Sequence, residues 1–440
     1  MRDPISKFFK TFSSAFWIAN GLELFERMAF YAMLAVLAVF IDEKLGLQGE
    51  GGKISGWFVS AIYILPILAG VFIDKFGFRK TLFACFAIFT LGYFVIALSA
   101  LSAGQPFTEA LGVRNFLLLG LGVTAMGGAL IKPCIVGTVA RTSPEKSRNL
   151  GFSIYYTLVN IGGALGPLIG LHLRKKYGIE FVILFASGAT LLLALLTLLF
   201  FKEPPDDGTE KKSFRKVFGD MVLVFGNFKF LLFLILFSGF WVMFYQIFFL
   251  LPFYVKNVLH YENFEVIESV DAYAIIFLTV PLAALARKMR PANAILLGFL
   301  FSSLAWVIIS WQQLPLFTQC ADRLGEFLVI IGWTPPLLFT VAGFTVVGLF
   351  VYAIGEAMQS PRFYEYVSTL APPGQIGTFM GFAFLPIALG SFAAGYLADW
   401  LKERFVHGDQ ADPTMWFCIA AIGLLTTALL YLHSILTKHK

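Results

Sequence analysis

Charge is scarce in this 440-residue chain: Asp, Glu, Lys and Arg make up 14% of it, against about 25% in soluble domains. That poverty excludes a chain wholly bathed in water. Cysteine is scarce as well, with four residues. Cys85, Cys134 and Cys418 fall in apolar stretches, and Cys320 lies in an expected external loop. None is spaced for a disulfide framework or a metal site, so they read as packing residues. Hydrolytic motifs are missing too. There is no G-x-S-x-G and no H-E-x-x-H, and the five histidines (His172, His260, His407, His433, His439) do not cluster. A membrane-embedded acyl or glycosyl transferase is therefore disfavoured; no enzyme activity, metal or cofactor is expected. The start, Met1-Arg-Asp-Pro, lacks the short apolar core and small-residue cleavage site of a secretory signal, so the first apolar helix is expected to be retained.

What is present in excess is apolar surface, 58% of the residues. It comes in long blocks rather than in the alternation of a membrane barrel. The expectation is an all-α integral membrane protein with the lipid bilayer as its first partner. At roughly 20 residues per crossing the blocks make about twelve spans. Their centres lie near Tyr31, Pro66, Thr90, Met126, Asn160, Leu192, Tyr245, Phe277, Leu304, Ala353, Leu389 and Gly423.

The formal charge of +6 matters through its placement. Basic residues collect in alternate connections: Arg2/Lys7/Lys10, Lys75/Arg79/Lys80, Arg141/Lys146/Arg148, Lys211/Lys212/Arg215/Lys216, Arg287/Lys288/Arg290 and Lys438/Lys440. Cytoplasmic loops carry that excess. The basic runs thus report topology, with both termini on the cytoplasmic side of the cell membrane, and not nucleic-acid binding. Arg174-Lys175-Lys176 breaks the pattern, since it falls in a connection expected outside.

A polar, Pro- and Gly-containing segment around Pro204-Pro-Asp-Asp-Gly-Thr-Glu-Lys-Lys212 divides the spans six and six. The expected parts are 1–202, a cytoplasmic linker 203–228, and 229–440. Pro66-x-x-x-Gly70-x-x-x-Asp74 ahead of Arg79-Lys80 is weakly echoed by Pro281 ahead of Arg287-Lys-Met-Arg290. Two six-helix halves with a site near the midplane are a known transporter plan. The stretch Gly70–Lys80, with a glycine turn, one acid and several bases, resembles the loop signature of the major facilitator superfamily. That resemblance implies the major facilitator fold, with Asp74, Arg79 and Lys80 as a cytoplasmic charge latch.

Polar residues inside apolar spans carry the functional argument. Glu23, Glu26 and Arg27 share one helix face, because positions three and four apart are neighbours. Each charge in hydrocarbon costs roughly 2.5–3.5 kcal/mol, so the three must pair and face the interior or a wet cavity. That density points to ion or proton handling. Lys132, beside Pro133 in the fourth span, can hold an anionic group or trade a proton; the alternative is a lysine snorkelling to the interface. Glu356 can meet a cation, or serve Arg362 as a structural partner. Asp271 reads equally as a site acid or a helix-end acid. Tyr31, Tyr63, Asn160, Trp241 and Gln246 can line a wet cavity or simply pack. Gly120, Gly122, Gly127, Gly128, Gly162, Gly163, Gly166 and Gly170 suit close helix approach, and Pro133, Pro167 and Pro386 suit bends.

Several blocks, in order, resemble the proton-coupled oligopeptide transporter family. Glu23-Leu-Phe-Glu26-Arg27-Met-Ala-Phe-Tyr31 is similar to its E-x-x-E-R-F-x-Y-Y signature, and Tyr63-Ile-Leu-Pro66 to its second helix. Lys132-Pro133 matches its fourth-helix lysine, and Tyr155-Tyr-Thr-Leu-Val-Asn160-Ile-Gly162 its F-Y-x-x-(I/V)-N-x-G run. Phe240-Trp-Val-Met-Phe-Tyr-Gln246 is similar to F-W-x-x-F-E-Q, and Gly355-Glu356 through Ser360-Pro361 to Leu370-Ala-Pro372 is similar to the tenth-helix block.

The resemblance implies import of small peptides or peptide-like solutes by proton-coupled alternating access, in a protein that works as a monomer. It implies Glu23, Glu26, Arg27 and Lys132 as the proton-coupling group. Tyr31, Tyr63, Lys132, Asn160, Trp241, Tyr245, Gln246, Asp271, Glu356 and Ser360 would form the substrate site. Three departures stand out: Tyr245 replaces the family's seventh-helix acid, Leu34 its second first-helix arginine, and Asp271 a usual asparagine. Losing the first two together is coherent, since losing one would strand a buried charge. An alternative therefore stays open, a proton antiporter exporting a cationic or amphipathic solute; so does a receptor that binds without transport.

Overall fold

The structure is a computed structural model that describes residues 11–205, 214–315, 342–372 and 375–437, with a few positions between 319 and 330. Arg2, Lys7, Lys10, Lys211, Lys212, Cys320, Lys438 and Lys440 lie outside the described residues. The described chain is helical: α1 (Ser14–Val39), α2 (Gly51–Ile64), α3 (Pro66–Phe76), α4 (Phe78–Leu98), α5 (Val113–Thr142), α6 (Arg148–Tyr177) and α7 (Ile179–Phe200). There follow α8 (Phe214–Phe225), α9 (Phe228–Phe244), α10 (Phe264–Ala286), α11 (Pro291–Ser310), α12 (Gly343–Leu370), α13 (Leu385–Phe405) and α14 (Thr414–Thr437). A two-residue hairpin, β1 (Val406–His407) with β2 (Gln410–Ala411), joins α13 to α14.

Among the described residues, ten helices are long and apolar enough to cross a membrane. The other two expected spans are also helical. One is divided into α2 and α3 at Pro66, where the ring removes an amide donor and crowds the preceding turn. The other is α12, whose second half from Glu356 to Glu365 is polar. The expected linker contains a helix of its own, α8. Pro386 sits in the first turn of α13, where proline is tolerated without bending the helix. Arg174, Lys175 and Lys176 occupy the last turn of α6. There, cations meet the negative end of the helix dipole, a local reason for a basic run that topology does not explain.

The chain divides into two compact units: residues up to Leu47 with Phe58–Leu223, and Gln48–Trp57 with residues from Val224 onward. In the first unit α4 packs on α5 and α7, and α1 packs on α6 and α7. Lipid tails are as apolar as leucine, so close backbone approach and interhelical hydrogen bonds drive this packing. Glycine supplies the approach: a Cβ at Gly127 would stand 3.1 Å from the Cys85 carbonyl, and one at Gly166 2.7 Å from the Met28 carbonyl. Large apolar side chains such as Leu199 and Phe277 point outward, 71% and 76% exposed.

In the second unit α11 packs on α12 and α14, α10 on α12, and α9 on α13. Aromatic rings fill it: Phe237 and Phe363 lie 4.1 Å apart, and Trp306 stacks on Trp416 at 5.5 Å. The 48–57 segment is held by Asp399 of α13, whose carboxylate accepts from the Gly52 and Lys53 amides at 2.9 and 2.8 Å. These are free amides of the first turn of α2, which a carboxylate satisfies and stabilises.

Candidate functional site

The first unit holds a buried cluster of four charges. Glu23, Glu26 and Arg27 on α1 are 0%, 1% and 3% exposed. Arg27 grips its sequence neighbour Glu26 with two donors, Nε to Oε2 at 2.5 Å and Nη2 to Oε1 at 2.6 Å. Its Nε also lies 3.8 Å from Glu23 Oε1. Lys132, from the middle of α5, donates to that same Glu23 oxygen at 2.8 Å. Tyr155 of α6 closes the arrangement: its hydroxyl accepts from Lys132 at 3.0 Å and donates to Glu23 at 3.3 Å. The Phe30 ring lies under the Arg27 guanidinium, 4.6 Å from its carbon.

Two acids and two bases therefore balance in a low-dielectric interior, where an unpaired charge would be strongly destabilising. Glu23 Oε1 is shared by both cations, while Glu23 Oε2 is sealed without a hydrogen-bond partner. Packing brings the helices this close. A Cβ on Gly162 of α6 would lie 2.7 Å from Arg27 Cβ and 2.9 Å from the Leu24 carbonyl.

Of the other residues expected in this unit, Tyr31 lies on the α1 face of the cluster, with its ring 6.0 Å from the Arg27 guanidinium carbon. Tyr63 on α2 is partly exposed. Asn160 uses its amide within α6, donating to the Tyr156 carbonyl at 2.8 Å. The residue of that sequence block that joins the charges is Tyr155, which site selection from sequence passed over. The signal was available: Tyr155 heads the run that contains Asn160.

Of the latch residues, Asp74 lies in α3 and its side chain is outside the described residues. Lys80 is exposed. The Arg79 guanidinium donates to the Leu198 carbonyl, and its amide donates to Glu203 at 2.9 Å. Glu203 also accepts from the Phe78 amide at 2.5 Å, and so caps α4. Gly77 turns the chain there with φ +80°, a left-handed geometry that favours glycine. Glu203, at the start of the expected linker, is a member of this loop that the motif does not contain.

The second unit carries the remaining candidates. Trp241 packs within a ring cluster, 5.2 Å from Phe244 and 6.2 Å from Tyr245. Tyr245 sits between α9 and the next helical turn and is 3% exposed. Gln246 is fully buried and donates to the Val242 and Ala394 carbonyls, each at 3.1 Å. That amide ties the bend after α9 to α13, a structural use of a residue expected to line a cavity. Ser360 accepts from Gln359 at 3.4 Å. Asp271 on α10 is 6% exposed, so it is not an ordinary helix-end acid at the surface. Oδ1 of Asp271 and Oε2 of Glu356, on α12, are sealed without hydrogen-bond partners. Arg362 is committed elsewhere, to Glu365 and the Met289 carbonyl. No group of three or more metal-ligating side chains occurs among the described residues.

Comparison with known proteins gives a consistent setting. A family model described as Major Facilitator Superfamily matches residues 21–395. Dipeptide and tripeptide permease B of Salmonella typhimurium is 23% identical, over 94% of this chain and 92% of its own. Multidrug resistance protein MdtH of Aeromonas salmonicida is 21% identical, over 92% of this chain and 91% of its own. The crystal structure of the POT family transporter PepTSo superimposes with a TM-score of 0.72 at 16% identity, over 97% of this chain and 98% of the other. The major facilitator fold expected from the sequence is thus shared along the whole chain.

Proposed function

Since the chain belongs to the major facilitator superfamily, we propose that it is a proton-coupled secondary transporter importing small peptides or peptide-like solutes by alternating access. The observation that carries this reading is the balanced cluster of Glu23, Glu26, Arg27 and Lys132. The permease relative, named for dipeptides and tripeptides, supports the substrate class.

The coupling follows from charge. A proton on Glu26 cancels its hold on Arg27, whose Nε already stands 3.8 Å from Glu23. Arg27 then turns fully to Glu23, and the hold of Lys132 on that carboxylate weakens. The cluster is left with one surplus positive charge, which burial penalises unless an anion arrives. A substrate carboxylate meeting Lys132 supplies it, so proton and substrate favour the same state. The substrate amine meets Glu356 and Asp271; Tyr31, Tyr63 and Asn160 of the first unit and Trp241, Tyr245 and Ser360 of the second are candidate substrate-binding residues. The protein acts as a monomer with both termini in the cytoplasm, and 203–228 links parts 1–202 and 229–440.

The test is uptake of labelled di- and tripeptides into proteoliposomes under an imposed pH gradient, acid outside. Uptake that collapses with the gradient is expected, and flux unchanged in Glu26→Gln would defeat the proton role.

One observation favours a second reading. Leu34 and Tyr245, where the family carries an arginine and an acid, are 1% and 3% exposed. Apolar and aromatic groups there suit an amphipathic cation exported by antiport, and a multidrug resistance protein is among the relatives. Substrate addition to energised vesicles separates the two, because symport and antiport move protons in opposite directions.

A further inference from the structure

The second unit contains two buried acids of its own. Asp271 and Glu356 come from α10 and α12, which pack on one another. Each has one oxygen shut away from solvent and without a hydrogen-bond donor. Tyr352 lies one turn before Glu356 but gives its own proton to the Phe240 carbonyl at 3.1 Å.

Among the described residues no cation answers them. α11 and the Leu251–Phe253 turn, which pack against α12 and α10, carry no titratable residue. Lys229 is at the far start of α9, beside His433. On α10 the remaining titratable groups are Glu265, Glu268 and Tyr273, acids and a phenol; on α12 they are Arg362, Tyr364, Glu365 and Tyr366. Arg362 is held by Glu365 and Met289. Two like charges in an apolar site without a counter-cation cannot both persist.

We propose that Asp271 and Glu356 form a second proton-binding site, holding a shared proton when no substrate is bound and releasing it when a substrate ammonium takes its place. The site deepens the transport reading, because the ammonium that displaces the proton is the substrate's. Substrate binding at Asp271 and Glu356 thus releases a proton, whereas the coupling proposed at Glu26 takes one up. Net proton movement per substrate is then the difference between two opposed events.

The experiment is an infrared titration of the purified protein in lipid nanodiscs, without substrate, following the stretching band of protonated carboxyls. A protonated-carboxyl band present at pH 7 is expected. It should vanish in Asp271→Asn/Glu356→Gln and survive in Glu26→Gln. In Asp271→Asn alone, Glu356 loses a like-charged neighbour and should deprotonate at lower pH than in the parent pair. The single variant reports even where the double one fails to fold. A band unchanged by Asp271→Asn, or absent from the parent protein at neutral pH, overturns the proposal. Because no flux is measured, failure of the import reading leaves this result interpretable.

Discussion

Glu26 and Arg27 are adjacent in sequence and still form a two-pronged ion pair, at 2.5 and 2.6 Å, inside α1. Among the described residues Glu23 is the acid that meets Lys132 of α5, and Arg27 stands 3.8 Å from it as well. The division of labour gives different expected outcomes for the two acids.

In Glu26→Gln the volume is kept and the titrating charge is lost. Arg27 can still turn to Glu23, 3.8 Å away. Gradient-driven accumulation should fall at least tenfold, while counterflow of labelled against unlabelled substrate continues. Paired uptake and counterflow assays read this; equal loss in both would assign Glu26 to binding instead.

Lys132→Met removes the cation that Glu23 holds at 2.8 Å. Breaking one partner of a buried pair costs about 3–5 kcal/mol, so thermal unfolding in detergent should occur well below the parent temperature. Adding Glu23→Gln to Lys132→Met should recover stability, because the stranded charge is gone. A double-mutant cycle measures the recovery, and strict additivity would refute the pairing.

Tyr155→Phe deletes one hydroxyl that contacts both Lys132 and Glu23. Hydrogen bonds to charged groups contribute about 1.5–3 kcal/mol. The expected effect is a shifted pH profile of uptake with the fold retained; a parent-like profile would make Tyr155 a bystander.

Gly162→Val should be more damaging than its chemistry suggests, because its Cβ would crowd Arg27 Cβ at 2.7 Å. Overpacking costs about 1–3 kcal/mol, and it would move the guanidinium relative to Glu26. Gly188→Ala, with nothing within 4 Å of the new Cβ, is the matched neutral control. Thermal stability and uptake of the two variants check the contrast.

Asp399→Ala removes the acceptor for the Gly52 and Lys53 amides. Loss of such a cap costs about 0.5–2 kcal/mol, and Asp399→Asn, which keeps one acceptor oxygen, should recover part of it. Hydrogen exchange at Gly52 and Lys53 is the direct measurement.

The membrane class, the helical spans and the Glu23–Glu26–Arg27 face were legible in the amino-acid order. Hydrophobic runs and helical spacing are local properties, and a charge in hydrocarbon announces itself wherever it stands. Lys132 was legible for the same reason. The use of Gln246 was not, because a polar side chain that bonds a backbone carbonyl looks identical in sequence to one that lines a cavity. Packing also decided which tyrosine of Tyr155-Tyr156 meets the charges, that Glu203 caps α4, and that Arg362 turns from Glu356 to Glu365. Each of these pairings joins groups by distance, and distance between helices depends on where glycines let backbones meet.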